Sequence, residues 1–132
     1  MKFHKDGKKP LKNQIFVFGS NKAGRHGAGA AKAAHIHYGA EYHNGFGLQG
    51  KSYAIPTKDF SIQTMELDEI KYYVTSFLRF AIANPQMEFF VTRIGCGLAG
   101  YRDEDIAPMF RRAPDNCSFA EEWKSYLQEN DK

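Results

Sequence analysis

Apolar residues recur along the chain with two periods, which predict strands alternating with helices. Short and largely apolar runs at Gln14–Phe18, Ser52–Ile55 and Met87–Thr92 are typical of strands that are covered on both faces of a sheet. From about Glu66 to Asn84, apolar residues follow three- and four-residue steps, which predict an amphipathic helix. An alanine-rich segment at about 27–38 predicts another helix. This alternation favours a single α/β domain, residues 1–132, with a mixed, mostly parallel central sheet.

The segments between these elements have weaker patterns. Residues 1–13 are predicted to be a tail or a short edge segment, and Ala40–Gly50, which has no period, is predicted to be a loop. We expect Pro56 to end the second strand and a helix to begin within 103–105. A last packed segment is predicted from aromatic residues at helical spacing, namely Phe119, Trp123 and Tyr126.

Composition restricts the classes of function. The chain of 132 residues has a formal net charge of +3, which suits a small anionic ligand. No apolar run approaches the roughly 20 residues that span a membrane, and the N-terminus lacks the apolar segment of a signal peptide. We therefore expect a cytoplasmic protein without a membrane partner. The N-terminal lysines, at positions 2, 5, 8, 9 and 12, are read as a solvated basic tail, with single-strand nucleic-acid binding as the alternative.

The cysteines and histidines do not form a metal-binding pattern. Cys96 and Cys117 make neither a disulfide framework nor a zinc motif, and His35, His37 and His43 have no partners at ligand spacing. We predict no metal and no cofactor. Cys96 is expected to be a small structural residue rather than a nucleophile.

Two glycine-rich segments carry the candidate chemistry. Arg93–Tyr101 and Gly19–Gly29 each follow a predicted strand and precede a predicted helix. Glycines at such a turn let a ligand approach the backbone closely, and amides at a helix N-terminus suit phosphate oxygens. If both loops leave one edge of the sheet, they are expected to hold a diphosphate between them.

A third glycine-rich segment, Gly45–Ser52, matches two phosphate-binding patterns in letters only. It fits both G-x-G-x-x-G and G-x-x-x-x-G-K-[ST]. Both motifs require an apolar strand before them and a helix after them. The preceding Glu41–Asn44 is polar and the following Tyr53–Pro56 predicts a strand, so we interpret this segment as a surface loop.

The sequence R-I-G-C-G-L at Arg93–Leu98 resembles a segment of macrodomains, in the branch that contains terminal ADP-ribose protein glycohydrolase and the yeast ADP-ribose-1″-phosphatase. The likeness extends upstream to Tyr53–Ile55 and to Thr57–Lys58. It resumes at Asn21 and the first glycine-rich loop, and covers roughly residues 14–112. The F-G-S-N and G-R-H-G-A-G-A-A-K stretches also resemble small uncharacterised phage-associated proteins. If the chain is phage-encoded, its expected location is the cytoplasm of the host cell.

The resemblance implies a compact three-layer α/β/α fold that binds ADP-ribose, or a related nucleotide diphosphate, in a cleft at the carboxyl ends of the strands. An ADP-ribosylated macromolecule is then a possible partner. The ligand-binding residues that it implies, together with those of the two loops, are Ser20, Asn21, Gly24, Arg25, Gly27, Gly29, Arg93, Gly95, Cys96, Gly97, Leu98, Ala99, Gly100 and Tyr101. Asn21 is equally well explained as a local turn residue, and Arg25 and Arg93 as surface ion pairs.

The resemblance also implies a catalytic lysine, with one departure. Lys58 matches the lysine that attacks the anomeric carbon in the glycohydrolase, but Ala99 stands where that family has its acid/base aspartate. Ala28 stands at the acidic position of another hydrolytic macrodomain class. His26 is the remaining candidate for proton transfer, with an exposed loop residue or a ligand hydrogen-bonder as the alternative. Lys58 is also explained as a solvated charge at the strand end or as a phosphate contact. We therefore expect either hydrolysis of an ADP-ribosyl linkage or terminal phosphate, or a non-catalytic ADP-ribose reader.

Overall fold

A six-stranded sheet runs through the molecule in the computed structural model, which describes residues 1–128. The strands are β1 (Lys2–His4), β2 (Gln14–Asn21), β3 (Gly47–Gln49), β4 (Ser52–Lys58), β5 (Glu88–Val91) and β6 (Cys117–Ala120). Their order across the sheet is β1-β6-β5-β2-β4-β3. Neighbouring strands are parallel except β3 and β4, which are antiparallel. The predicted α/β class with a mixed, mostly parallel sheet is confirmed.

Helices cover both faces of this sheet. They are α1 (Gly29–His37), α2 (Leu67–Ala83), α3 (Asp103–Ile106) and α4 (Lys124–Leu127), with 3₁₀ turns at Ala107–Phe110 and Glu121–Trp123. The long α2 buries the apolar stripe that its periodicity predicts. None of the helices within residues 1–128 is long and apolar enough to cross a membrane.

The alternation of side chains along β2 separates two cores. Ile15 and Val17 belong to the larger core, which packs against α2, whereas Phe16 and Phe18 belong to a smaller core against α1. The layer under α1 is thin because the helix presents only alanines, Ala31 and Ala34, to the sheet. The sheet is therefore the middle layer of three.

Two strands run further than the sequence predicts. β2 continues to Asn21, and β4 continues through Pro56 to Lys58, so the prediction that Pro56 ends the strand is wrong. β3 pairs only with Ser52–Ala54, which leaves β4 with a single strand neighbour at Pro56. Proline is tolerated where a strand borders no partner on one side. This extension carries Lys58 to the rim of the sheet.

Each chain end adds a strand to the sheet. Residues 2–4 form an edge strand paired with β6, which agrees with the short edge segment that was one of the two interpretations of residues 1–13. Phe119 lies in β6 and not in a helix. The spacing of Phe119 and Trp123 reflects shared packing, because both rings meet Phe110, at centroid distances of 5.5 and 5.3 Å.

The predicted loop Ala40–Gly50 contains the short strand β3, which makes a hairpin with β4. Gly50 and Lys51 form the turn of this hairpin, and the segment after Lys51 is a strand. The glycine-rich segment 45–52 thus lacks the helix that a phosphate-binding loop requires.

Candidate functional site

The two glycine-rich loops leave the same edge of the sheet. β2 lies between β4 and β5 and is parallel to both, so the carboxyl ends of all three strands meet. Asn21, the last residue of β2, pairs with Lys58, the last residue of β4. Ligands of open parallel sheets bind at such an edge, where strand order reverses.

A cavity of about 1000 Å³ lies between these loops, at the upper end of the range for small-molecule sites. The predicted site residues that line it are Ser20, Asn21, Arg25, Gly27, Gly29, Lys58, Arg93, Gly95, Cys96, Gly97, Leu98 and Ala99. Four predicted site residues do not line it, namely Gly24, His26, Gly100 and Tyr101. Most of the predicted site residues, which come from two separate loops, therefore line one cavity.

The second loop, residues 95–101, turns on Gly95. Its φ of +79° is a conformation that favours glycine, and a Cβ there would lie 3.1 Å from Ile106 Cδ1. The Tyr101 amide donates to the Gly95 carbonyl at 2.9 Å, and the Tyr101 hydroxyl donates to the Met65 carbonyl at 2.7 Å. Tyr101 thus fastens the loop to the start of α2, which explains why it lies outside the cavity.

The middle of this loop is open toward the cavity. Within residues 1–128, the amides of Gly97, Leu98 and Ala99 have no hydrogen-bond acceptor. A Cβ added to Gly97 would meet nothing within 4 Å, so the space beside it is open. Leu98, which is 68% exposed, reaches across to the first loop, where its Cδ1 would lie 3.4 Å from a Cβ on Gly29.

The first loop is held by Asn21. Its side chain accepts a hydrogen bond from the Arg25 amide at 2.9 Å and donates to the Arg25 carbonyl at 2.8 Å. Asn21 therefore has the local turn geometry that was one of its two interpretations. The Arg25 side chain is exposed at the rim of the cavity.

Gly24 and Ser20 position this loop against the segment that precedes β3. Gly24 has a φ of +71°, and a Cβ there would lie 2.3 Å from the Asn44 amide nitrogen. The Ser20 hydroxyl donates to the Gly45 carbonyl. Gly24 is thus a packing residue, and Ser20, although it lines the cavity, has its hydroxyl engaged by the backbone.

The N-terminus of α1 opens into the cavity without a cap. Its N-cap is Ala28, which has extended backbone but no side chain that can accept a hydrogen bond, and its first turn contains no acidic residue. Within the described residues, the amides of Gly27 and Ala28 have no acceptor, and the first-turn amides of a helix have none inside the helix. This end of α1 presents unpaired donors and a partial positive charge to the cavity.

Lys58 is half-buried at the rim of the cavity. Its Nζ has no hydrogen-bond or ion-pair partner within residues 1–128. Its backbone forms a bridge with Thr64, and Thr64 Oγ1 donates to the Ala99 carbonyl at 3.1 Å. Lys58 and Ala99 are therefore neighbours through Thr64. Ile62, in the same turn, lines the cavity with a φ of +64°, a strained backbone for a β-branched residue.

His26 is buried, which contradicts the expectation of an exposed loop residue. It is 1% exposed, and its Nε2 lies 2.8 Å from the Glu41 carbonyl and 3.2 Å from the Asn44 carbonyl. Its Nδ1 is buried and has no partner within the described residues. Because His26 packs against Phe18 and does not reach the cavity, the geometry gives it a structural role.

Arg93 lies at the start of the second loop and is engaged in ion pairs. It contacts Asp103 at 2.6 Å and Asp6 at 3.1 Å, which raises the pKa of its guanidinium. Burial, with a further contribution from Asp103, raises the pKa of the Cys96 thiol to about 12. A thiol with that pKa is inert near neutral pH, as expected of a structural cysteine.

The sequence missed two parts of the cavity wall. One is the N-terminal segment Asp6–Pro10, and the other is an aromatic end formed by Phe16, Tyr38 and Phe90. The basic residues of the segment were visible in the sequence, but nothing local to them indicated a contact with residue 93. Phe16 and Phe90 were predicted as strand residues and Tyr38 as the end of a helix. A cavity beside them depends on the small alanine side chains that α1 places against the sheet.

The charge of the lining favours an anion. Among the described residues, the cavity has one carboxylate, Asp6, against five cations, namely Lys8, Lys9, Arg25, Lys58 and Arg93. Asp6 is already paired with Arg93. No group of three His, Cys, Asp or Glu side chains within residues 1–128 is placed to hold a metal ion.

Comparison with known proteins supports the fold alone. No protein-family model matches the chain, and no curated protein matches it. It is similar to a solved structure of a protein of unknown function from Bacteroides thetaiotaomicron, with a TM-score of 0.60 and 16% sequence identity. The match covers 90% of this chain and 95% of the other. The two chains thus share an α/β architecture, and function has to be argued from the site.

Proposed function

We propose that the protein binds ADP-ribose, or a closely related nucleotide diphosphate, in the cavity between the two glycine-rich loops. The observation that carries this proposal is two sets of amides without acceptors within residues 1–128, one at the uncapped start of α1 and one at Gly97–Ala99, in segments that line the same cavity. Amides at a helix N-terminus and in a glycine turn are a common phosphate site. Two such walls fit a ligand with two linked phosphates.

The rest of the lining fits the remainder of such a ligand. Arg25 and Lys58 stand at the rim and add positive charge beside the amides. Phe16, Tyr38 and Phe90 give one end of the cavity an aromatic wall, which suits a flat apolar ring. A polar centre between cations and an aromatic end matches a nucleoside diphosphate better than a simple phosphate.

Titration calorimetry with ADP-ribose tests the proposal. We expect the wild-type protein to bind, and we expect Lys58→Ala to weaken binding about tenfold, since a hydrogen bond to a charged group contributes roughly 1.5 kcal/mol or more. Lys71→Ala is the matched control, because Lys71 is exposed on α2, which packs on the other face of the sheet. Absence of wild-type binding at millimolar ADP-ribose would refute the proposal.

Hydrolysis is the second candidate function, and Lys58 is the observation that favours it. The resemblance to the glycohydrolase branch places a nucleophile at Lys58, whose Nζ has no partner within residues 1–128. However, Ala99 offers no proton-transfer group there, and Asp6 is the one described carboxylate of the lining. Loss of such a group typically costs a hundredfold or more in rate. Binding without turnover is therefore the function that we favour.

Restoring the missing carboxylate separates the two candidates. Ala99→Asp is expected to raise the release of ADP-ribose from an ADP-ribosylated protein by about a hundredfold over wild type, in a manner that requires Lys58. The double variant Ala99→Asp with Lys58→Ala is then expected to fall back to the wild-type level. Fast release by the wild type that survives Lys58→Ala would contradict both the reader and the lysine route.

A further inference from the structure

We propose that residues Lys5–Leu11 form a strap that closes over the bound ligand, and that Lys8 and Lys9 contact its anionic groups. This inference rests on the proposed function, because it assigns further binding residues to the same cavity. Asp6–Pro10 line the cavity although they precede β2 and belong to neither glycine-rich loop. The strap is thus a third wall of the site.

The strap is anchored before its first residue. Lys2–His4 pair with β6, the His4 ring stacks on Phe90 with centroids 3.8 Å apart, and His4 Nδ1 lies 2.7 Å from Ser118 Oγ. These contacts fix the chain on the sheet next to the aromatic end of the cavity. The start of the strap therefore has a defined position.

It is also anchored at its far end. The Leu11 amide donates to Gln14 Oε1 at 2.7 Å, and the Gln14 amide donates to the Leu11 carbonyl at 2.9 Å. Lys51 Nζ adds a hydrogen bond to the Lys12 carbonyl at 2.9 Å. The strap is a short loop tied at both ends, so it can lift or close without leaving the cavity.

Between the anchors the strap has few contacts. The Lys8 amide donates to the Lys5 carbonyl at 3.2 Å, and Asp6 pairs with Arg93 at 3.1 Å. Gly7, with a φ of +86°, has nothing within 4 Å of the place of a Cβ. Segments with few buried contacts open at low free-energy cost. The link from Asp6 to Arg93 joins the strap to the base of the second glycine-rich loop.

There is space on both sides of the strap. A second cavity, of about 710 Å³, is lined by Lys8, Lys9 and Phe90, which also line the first. The strap therefore stands as a partition between two cavities and is not seated on the core. This geometry leaves room for it to move toward a ligand in the first cavity.

The charge of the strap suits an anionic ligand. Lys8 and Lys9 are exposed, and neither has an acidic partner within residues 1–128. Two ammonium groups beside a cavity attract an anion, and no ion pair has to be broken when they contact it. The pairing of Asp6 with Arg93 keeps this carboxylate from repelling that anion.

Stopped-flow binding of ADP-ribose and hydrogen exchange together test the strap. The variant K8E/K9E is compared with K12E/K71E, which changes the net charge equally but replaces two lysines that line neither cavity. We expect K8E/K9E to lower the association rate about tenfold or more and to weaken its dependence on salt, whereas K12E/K71E stays within about twofold of wild type. In wild type, ADP-ribose is expected to slow amide exchange in residues 5–9.

The outcomes separate the strap from the site itself. If wild type binds but both variants lose the same amount, or if exchange in residues 5–9 is unchanged by the ligand, the strap proposal is overturned and the binding site stands. If wild type does not bind ADP-ribose, the proposed function fails and the strap proposal fails with it.

Discussion

Arg93 donates two hydrogen bonds to the carboxylate of Asp103, from Nε to Oδ1 at 3.0 Å and from Nη2 to Oδ2 at 2.6 Å. The buried indole of Trp123 donates to the same Oδ1 at 2.7 Å. Partial burial acts to raise the pKa of Asp103, but the bonds from Arg93 and Trp123 hold it below its usual value. Arg93 begins the glycine-rich segment and Asp103 begins α3 just beyond it, so this pair fixes both ends of a loop whose middle residues line the cavity.

Arg93→Lys is expected to lower the free energy of unfolding by about 1.5 kcal/mol, because lysine keeps the charge but cannot make two parallel bonds. Urea unfolding measures this change. Arg102→Lys is the control, since the Arg102 side chain is 81% exposed and its contact with Glu104 is long, at 3.9 Å. An equal change in the two variants would show that the two hydrogen bonds from Arg93 to Asp103 do not stabilise the fold.

Substitution by alanine is expected to affect stability at one glycine of the site loops and binding at another. Gly24→Ala should destabilise the protein by about 3 kcal/mol, because the new Cβ collides with the backbone of residues 43–44 and φ is positive. Gly97→Ala should leave stability within about 0.5 kcal/mol, since the space around it is open. Its Cβ would instead occupy the space of the ligand, and ADP-ribose affinity should fall about tenfold.

Thermal or urea unfolding measures the stability of both variants, and calorimetry measures their affinity for ADP-ribose. The proposed site predicts that Gly97→Ala keeps its stability but loses affinity. Undiminished affinity in Gly97→Ala would mean that the ligand does not approach this loop.

The sequence predicted the central strands β2, β4 and β5 and the helices α1 and α2, because apolar periodicity records which faces are buried, but it did not predict the short strands β3 and β6. It predicted the convergence of the two glycine-rich loops for a general reason, namely that parallel strands bring their carboxyl ends to one edge. It missed the ends of β2 and β4, since Asn21 and Lys58 are polar residues whose strand pairing is set by each other and not by a local pattern.

The site could not be completed from sequence where contacts are distant. The burial of His26 depends on carbonyls at Glu41 and Asn44, which reach it because Gly24 lets that segment approach. The strap reaches the cavity through a contact between Asp6 and Arg93, which are 87 positions apart. No property of either residue alone indicates its partner.

The uncapped start of α1 gives a prediction with opposite signs for stability and binding. Ala28 already has the extended backbone of an N-cap, so Ala28→Asp and Ala28→Ser should each stabilise the free protein by about 1 kcal/mol. Aspartate adds a negative charge at the wall that is proposed to bind phosphate, so Ala28→Asp should lose much more ADP-ribose affinity than Ala28→Ser. Tm and calorimetry give the two readouts. If Ala28→Asp binds as tightly as Ala28→Ser, this wall does not contact the ligand phosphates.

His4 gives the fold a dependence on pH that can be assigned to one ring. Burial lowers its pKa below the ordinary 6.5, against the opposing influence of Asp6, the Val91 backbone and the carboxylates of Glu121 and Glu122. The unfolded chain therefore binds the proton more readily than the folded one, so this contribution to stability is complete above about pH 6.5 and is lost as the pH falls through the lower folded value. We expect the unfolding free energy to drop between pH 7 and pH 5, and to drop less in His4→Gln. His37→Gln serves as the control because His37 is exposed on α1. The same pH dependence in His4→Gln as in wild type would show that His4 does not hold β1, and with it the start of the strap, through its neutral ring.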